Sequence, residues 1–205
     1  MISNRKKNAQ HAIAIIRDVK VELDRKLSDL FDGLAANAAD ALFEEMWNLD
    51  EKEALEHHFN VMRALKRQSV AYRQEFDRLM NETWRIFLRS RDIPAMETPG
   101  GFAGKLIDSY QDKVESHHKI LLNDIRLRLS CLLKSELHRF PLQPGILFAC
   151  FWQSIEQLDL NYDERVLLIP LFQRYVMDRY GQVLGVVNKT LIEHAVGTWK
   201  DCRPL

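Results

Sequence analysis

The sequence predicts an all-α fold, an elongated bundle of about five to six helices. Only eight glycines and six prolines occur in 205 residues, so loops are few. Apolar residues make up 46% of the chain and charged residues 28%, which suits a folded core. Over long stretches the apolar residues recur at helical spacings of three, four and seven. We therefore expect one helical domain over residues 1–205, with two or three long antiparallel helices.

The N-terminal helices are expected over residues 8–49. An apolar seam on the first helix has these members: Ile13, Ile16, Leu23, Leu27, Leu30 and Leu34. Gly33 weakens the pattern. A second group then resumes it on one side: Leu42, Phe43, Met46 and Trp47. Either a new helix starts near Asn37 or Asp40, or the first helix bends and continues.

Two longer helices are expected over residues 51–91 and 103–138, separated by a loop that is rich in proline and glycine. Asp50 and Glu53 form a capping-box pattern at the start of the first of them. Its apolar seam has these members: Val61, Leu65, Tyr72, Phe76, Leu79, Thr83 and Ile86. A helix of about 38 residues would be about 57 Å long, so the molecule must be elongated or the helix must bend.

The C-terminal helical part is expected over residues 145–196. It opens with the apolar stretch 146–158, which predicts a short buried helix. Asn161 and Glu164 form a second capping-box pair. Pro170 lies about two turns further on and lacks an amide donor, so we expect a kink near residues 166–170. Two separate helices, 162–168 and 171–194, are the alternative.

Composition restricts the partners and the location. The 29 basic and 29 acidic residues balance, so no overall field draws the chain to nucleic acid. The longest apolar runs fall far short of the ~20 residues that span a bilayer, and no signal peptide is evident. Cys131, Cys150 and Cys202 show no CxxC spacing and are expected to be reduced thiols. We expect a cytoplasmic protein that inserts in no membrane and needs no cofactor.

No catalytic motif is found, so we expect no enzymatic activity. His57–His58 and His117–His118 are adjacent pairs whose side chains point about 100° apart, so neither pair chelates a metal alone. A metal site shared between the two long helices remains an alternative. The segment 98–105 shares only its glycines with a phosphate loop. The basic stretch 63–78 is interpreted as a solvated helix face rather than a nucleic-acid stripe.

Six aromatic residues are candidates for an interface or a pocket. Trp47 and Trp84 lie near predicted helix ends, where a tryptophan can anchor a partner. A pocket between helices could be lined by Tyr110, Trp152, Tyr175 and Tyr180. Packing in the core is the competing interpretation for the tryptophans.

Two segments carry a family resemblance. "DALFEEMWNLDEKEALEHHFNVMRALKRQSVAYRQEF" (40–76) and "FWQSIEQLDLNYDERVLLIPLFQRYVMDRYGQVLGVVNKTLIEHAV" (151–196) resemble two segments of the bacterial family called domain of unknown function 1631 (DUF1631). The matching positions in the second segment are Leu158, Asp159, Leu160, Arg165, Val166, Phe172, Val176, Tyr180, Asn188 and Leu191. The family offers no catalytic residues to carry over.

The resemblance implies a bacterial cytoplasmic protein, as a shortened member or the N-terminal region of a longer one. Related architectures imply a link to cyclic-di-GMP signalling through PilZ-like or diguanylate cyclase domains, whose motifs do not occur here. We therefore expect a regulatory or scaffolding domain that pairs through its long helices with itself, as a homodimer, or with another protein. A small-ligand (nucleotide) sensor is the alternative.

Overall fold

Three long helices form the outer frame of the molecule. The computed structural model describes residues 2–47, 49 and 51–197, and no β-strand occurs among them. The long helices are α1 (Ile2–Met46), α2 (Lys52–Ser90) and α3 (Gly101–Leu133). At 1.5 Å per residue, the 45 residues of α1 extend about 68 Å. The predicted all-α elongated bundle is therefore confirmed.

Four short helices fill the space between the long ones. They are α4 (Pro144–Ile155), α5 (Tyr162–Val166), α6 (Leu168–Tyr175) and α7 (Tyr180–Glu193), with a 3₁₀ turn at Met177–Arg179. α4 packs against α2 and α3, whereas α7 packs against α1 and α3. α6 also contacts α1. The C-terminal part is thus the interior around which the long helices are arranged.

The first predicted region is one continuous helix, which confirms the alternative that the chain continues through Gly33. The inward residues of its N-terminal half are Ala12, Ile15, Ile16, Val19 and Leu23. Ile13, which we assigned to the seam, is 53% exposed, so that assignment is wrong. Ile13 is two residues from Ile15, about 200° around the helix, and therefore points away from the core.

α2 has the predicted length but is bent. Gln68 has φ −124° and ψ 19°, outside the helical region, so the helix axis changes direction there. Seam residues on both sides of the kink are buried, namely Val61, Tyr72, Phe76 and Thr83, whereas Leu65, Leu79 and Ile86 are half-buried. Glu51 is the N-cap and offers no side-chain hydrogen bond. The predicted cap at Asp50 lies outside the described residues.

The chain breaks beside Pro170, as predicted. α5 ends at Val166 and α6 begins at Leu168, which leaves Pro170 in the first turn of α6. An amide in the first turn has no acceptor within its helix, so the missing N–H of proline costs little there. The Asn161–Glu164 capping box is also confirmed. Each side chain accepts a hydrogen bond of 2.9 Å from the other residue's backbone N–H.

The centre of the core is an aromatic cluster around Phe172 of α6. The ring of Phe151 stacks on it at 4.1 Å between centroids, and the ring of Phe148 meets it edge-on at 5.3 Å. Phe31 of α1 and Phe76 of α2 lie 5.9 and 6.4 Å away. One residue therefore joins three further helices in a single packed group.

The cysteines only partly follow the prediction. Cys150 is a buried free thiol on α4, and desolvation raises its pKa to about 12. Cys131 is half-buried near the end of α3 and is disulfide-bonded, so the expectation of a reduced, buried thiol is wrong there. Cys202 lies outside the described residues.

Candidate functional site

Most of the six aromatic candidates belong to the interior. Trp84, Trp152, Tyr175 and Tyr180 are all at most 9% exposed. Tyr110 is half-buried and stacks on Phe148 at 6.5 Å between ring centroids. Trp47 is 79% exposed, just beyond the end of α1. The structure does not gather these residues into one pocket.

Tyr180 is a structural residue of the core rather than part of an open pocket. Its hydroxyl donates a 2.8 Å hydrogen bond to the Leu142 carbonyl, which satisfies both buried groups. Complete burial raises the pKa of Tyr180, so the phenol stays neutral. Trp84 packs edge-on against Phe87 at 5.9 Å between ring centroids, although its indole N–H is buried without an acceptor.

A groove with apolar walls runs between α1 and α2, which form an antiparallel hairpin. Its cavity of about 490 Å³ is lined by Ala35, Ala38, Ala39, Met62, Arg63, Leu65, Lys66, Ser69 and Tyr72. We call this set of residues the hairpin groove. It lies at the surface, whereas the core aromatics lie behind it.

Large exposed side chains continue the hairpin groove toward the α1–α2 turn. On α1, Phe43 follows Ala39 by one turn and is 46% exposed, and its ring meets that of Trp47 at 6.0 Å between centroids. On α2, Phe59 precedes Met62 by one turn and is 50% exposed. Single exposed apolar residues are ordinary, but Phe43, Trp47 and Phe59 are three large ones near one end of the groove.

The groove exists because α1 and α2 do not close on each other here. α1 presents three alanines, which are too small to fill the gap, and α2 changes direction at Gln68 beside it. Gln68 is held by its side chain, whose Oε1 accepts a 3.1 Å hydrogen bond from the Asp159 amide. Asn60 is similarly tied to the buried Glu164, at 2.7 Å from Nδ2 to Oε1. α2 is therefore anchored to the α4–α5 region on the face away from the groove.

The charge in the groove is positive. Arg63 and Lys66 are exposed lining residues, and no carboxylate is among the lining residues. Further along α2, Arg73 and Arg78 are already paired with Asp77 and Glu75, at 3.2 and 2.7 Å. The basic stretch 63–78 thus contains cations that are paired with a carboxylate of the same helix, such as Arg73 and Arg78, and exposed cations on the groove, Arg63 and Lys66. Tyr72 and Phe76 within it are buried, as the solvated-face interpretation predicted.

The histidine pairs lie in separate places. His58 is buried, with Nδ1 2.8 Å from the Ala54 carbonyl and Nε2 3.6 Å from Glu45. His118 packs against Gly181 of α7, and burial lowers its pKa. Within the described residues, no three His, Cys, Asp or Glu side chains are grouped to hold a metal ion.

The glycine-rich segment before α3 is occupied by a side chain. Tyr162 donates a 2.8 Å hydrogen bond to the Gly100 carbonyl and accepts one of 3.0 Å from the Ala103 amide. Gly101 has φ +67°, and an added Cβ would lie 3.2 Å from the Tyr162 hydroxyl. The start of α3 is therefore closed by Tyr162.

Sequence reasoning did not identify the hairpin groove. The available signal was the stretch "LAANAADALF" (34–43), where small residues replace the large ones that otherwise line the seam. Alanines opposite Met62 and Leu65 leave space, but only the position of the Gln68 kink shows that nothing else fills it.

No helix in the described part of the chain is long and apolar enough to cross a bilayer.

One comparison with known proteins gives a match. A family model described as "Protein of unknown function (DUF1631) N-terminal domain" matches residues 11–195. No curated protein and no solved structure matches the chain. The matched range runs from the third turn of α1 to just beyond the end of α7, and so contains both the core and the hairpin groove.

Proposed function

The chain belongs to the DUF1631 N-terminal domain family, and from that premise we propose that it is a non-catalytic domain that binds another protein through the hairpin groove. The observation that supports the proposal is an apolar groove between two long helices, with the exposed side chains of Phe43 and Phe59 one helical turn beyond the lining residues Ala39 and Met62. Aromatic side chains around an open apolar surface are typical of interface hot spots.

Several features of the groove suit a docking role. The walls belong to two helices that are fixed to the core, so the surface is formed before any partner arrives and ordering costs are low. Arg63 and Lys66 add a polar rim to an apolar centre, which is the usual composition of a protein interface.

The setting that we propose is bacterial signalling, including cyclic-di-GMP signalling, as the sequence resemblance implies.

Site-specific photo-cross-linking tests this function. A benzophenone amino acid replaces Phe59 at the groove or, as the control, Ile120 on α3, which is 82% exposed. We expect Phe59 to give a discrete protein adduct in the native cell and Ile120 to give none. Equal labelling from both positions, or none from Phe59, would contradict the proposal.

A small-ligand sensor is the second candidate. The volume of about 490 Å³ lies within the range of about 300–1,000 Å³ that is usual for ligand sites. The two cations would favour an anionic ligand such as a nucleotide. A nucleotide screen by thermal shift, repeated on the Arg63→Ala/Lys66→Ala variant, tests this candidate. Stabilisation of the parent that the variant loses would favour the sensor over the docking domain.

A further inference from the structure

We infer that the occupant of the hairpin groove is an amphipathic helix of a partner protein, with an apolar face bordered by carboxylates. This inference rests on the proposed docking function and specifies its ligand. Three properties of the groove support it: its length, the size of its lining residues and the sign of its charge.

The dimensions of the groove fit a helix. On α2 the lining runs from Met62 to Tyr72, ten steps of 1.5 Å or about 15 Å, which is nearly three turns of a bound helix. α1 and α2 run antiparallel, and a third helix laid along their seam is the standard way to cover such a pair. Ala35 and Ala39 carry only methyl groups, so the backbone of the incoming helix can approach closely there.

Apolar side chains line the walls of the groove. Met62 and Leu65 are half-buried, and Ala38 and Tyr72 form a buried floor between them. Residues at i, i+3, i+4 and i+7 of a bound helix would lie along these side chains and along Phe43 and Phe59 at the open end. The bound face must therefore be apolar for about three turns.

The charges specify the flanks of the bound helix. The guanidinium of Arg63 and the ammonium of Lys66 lie on the lining and, among the described residues, make no ion pair, in contrast to Arg73 and Arg78. Carboxylates on the edges of the incoming helix would pair with these two groups. Lysine or arginine there would be repelled and would lose affinity.

The same charges argue against a second copy of the chain as the occupant. In a two-fold dimer each surface meets its own equivalent, so groove would face groove. The lining holds no carboxylate, so the groove of one copy would offer no partner for Arg63 or Lys66 of the other. Two concave surfaces would also leave the space between them unfilled.

The test measures binding of two matched peptides to the full chain by fluorescence anisotropy. One is a stapled helix of about 14 residues, with leucines at i, i+3, i+4 and i+7 and glutamates on both edges. The other carries lysines in place of the glutamates. Exposed ion pairs are individually weak, so we expect the glutamate peptide to bind roughly tenfold more tightly than the lysine peptide.

Variants of the groove complete the test. In Arg63→Glu/Lys66→Glu the preference should invert in favour of the lysine peptide, and Ala39→Trp should weaken both peptides at least about tenfold by filling the groove. Ile120→Glu on α3 is the matched control and should leave both affinities unchanged. Because all four positions are exposed, circular dichroism should show folded proteins throughout.

Equal binding of both peptides, no binding of either, or no inversion in the charge-reversed variant would overturn the inference. So would a dimer in light scattering that dissociates in Ala39→Trp, because it would make a second copy the occupant. If the peptides fail while the Phe59 cross-link persists, the docking function stands and only its ligand is wrong. If both fail, both proposals fall.

Discussion

The interior formed by α4 to α7 and the hairpin groove between α1 and α2 show two outcomes of helix packing. In the interior, Phe172 is surrounded by four phenylalanine rings within 6.4 Å. In the groove, three alanines face Met62 and Leu65 across an open cavity. The groove lies between two amphipathic helices, whereas the interior also contains α4, which is buried almost throughout. The size of the contact residues decides which pair of faces closes and which stays open.

The polar groups of the two regions differ in the same way. The interior pairs its hydroxyl and carboxylate groups internally, as the contacts of Tyr180 and Glu164 show. The groove leaves Arg63 and Lys66 to water. A buried region must satisfy its polar groups to be stable, whereas a docking surface needs polar groups that a partner can satisfy.

The largest expected effect comes from truncating the centre of the interior. Phe172→Ala removes the ring that joins α1, α2, α4 and α6 and should cost about 3–5 kcal/mol of unfolding free energy, measured by urea denaturation. Phe59→Ala, at the groove, removes a ring of the same size that is 50% exposed and should cost less than about 1 kcal/mol. Similar losses at both positions would mean that the groove is part of the core.

Two neighbouring alanines of α1 give the next test. Ala41 is 2% exposed, and Ala41→Leu should overpack the core and destabilise the fold by about 1–3 kcal/mol. Ala39 is exposed on the groove, so Ala39→Leu should change the stability by no more than about 0.5 kcal/mol. Thermal unfolding of both variants provides the measurement. A large penalty for Ala39→Leu would show that the groove is closed in solution.

A smaller effect is expected from a single hydroxyl. Tyr180→Phe leaves the buried Leu142 carbonyl without its 2.8 Å hydrogen bond and should destabilise the protein by about 1–2 kcal/mol. Tyr162→Phe removes two hydrogen bonds, but Tyr162 is 38% exposed and water can replace them, so the expected loss is about 0.5 kcal/mol. The two variants are compared by denaturant unfolding. The reverse order would show that water does not reach Tyr162.

The smallest effect concerns pH. Burial, with a contribution from His117, lowers the pKa of His118 below its unfolded value of about 6.5. The unfolded chain then binds more protons, so this histidine makes the fold less stable as the pH falls through that value. His118→Gln should reduce this loss between pH 7.5 and 5.5 in unfolding titrations. An unchanged pH dependence would show that His118 stays solvated beside Gly181.

Sequence reasoning recovered the framework better than the surface. Breaker residues placed the 91–102 loop and the break at Pro170, because proline and glycine act locally on the backbone. The assignment of Ile13 to the seam was wrong because a seven-residue repeat drifts around a straight helix of 3.6 residues per turn. Trp84 was a candidate anchor and Trp152 a candidate pocket residue, with core packing as the competing interpretation. Both are buried, and burial depends on neighbours that are distant in sequence.

The hairpin groove was beyond prediction for a similar reason. Gln68 is an ordinary helix former, and its non-helical backbone accompanies a hydrogen bond to Asp159, 91 residues away. No local pattern reports such a contact. Five of the ten family positions in the second segment are buried, namely Leu158, Phe172, Val176, Tyr180 and Leu191, and these five belong to the core rather than to the groove.

The hydrogen bond between Gln68 and the Asp159 amide couples the loop before α5 to the bend of α2. If a bound helix or a rise in temperature straightened α2, Oε1 of Gln68 would move away from the Asp159 amide. The Asp159 proton would then exchange with solvent faster, while amides deep in α7 kept their protection. A single backbone proton on the far side of the helix thus reports whether the bend is kept or released.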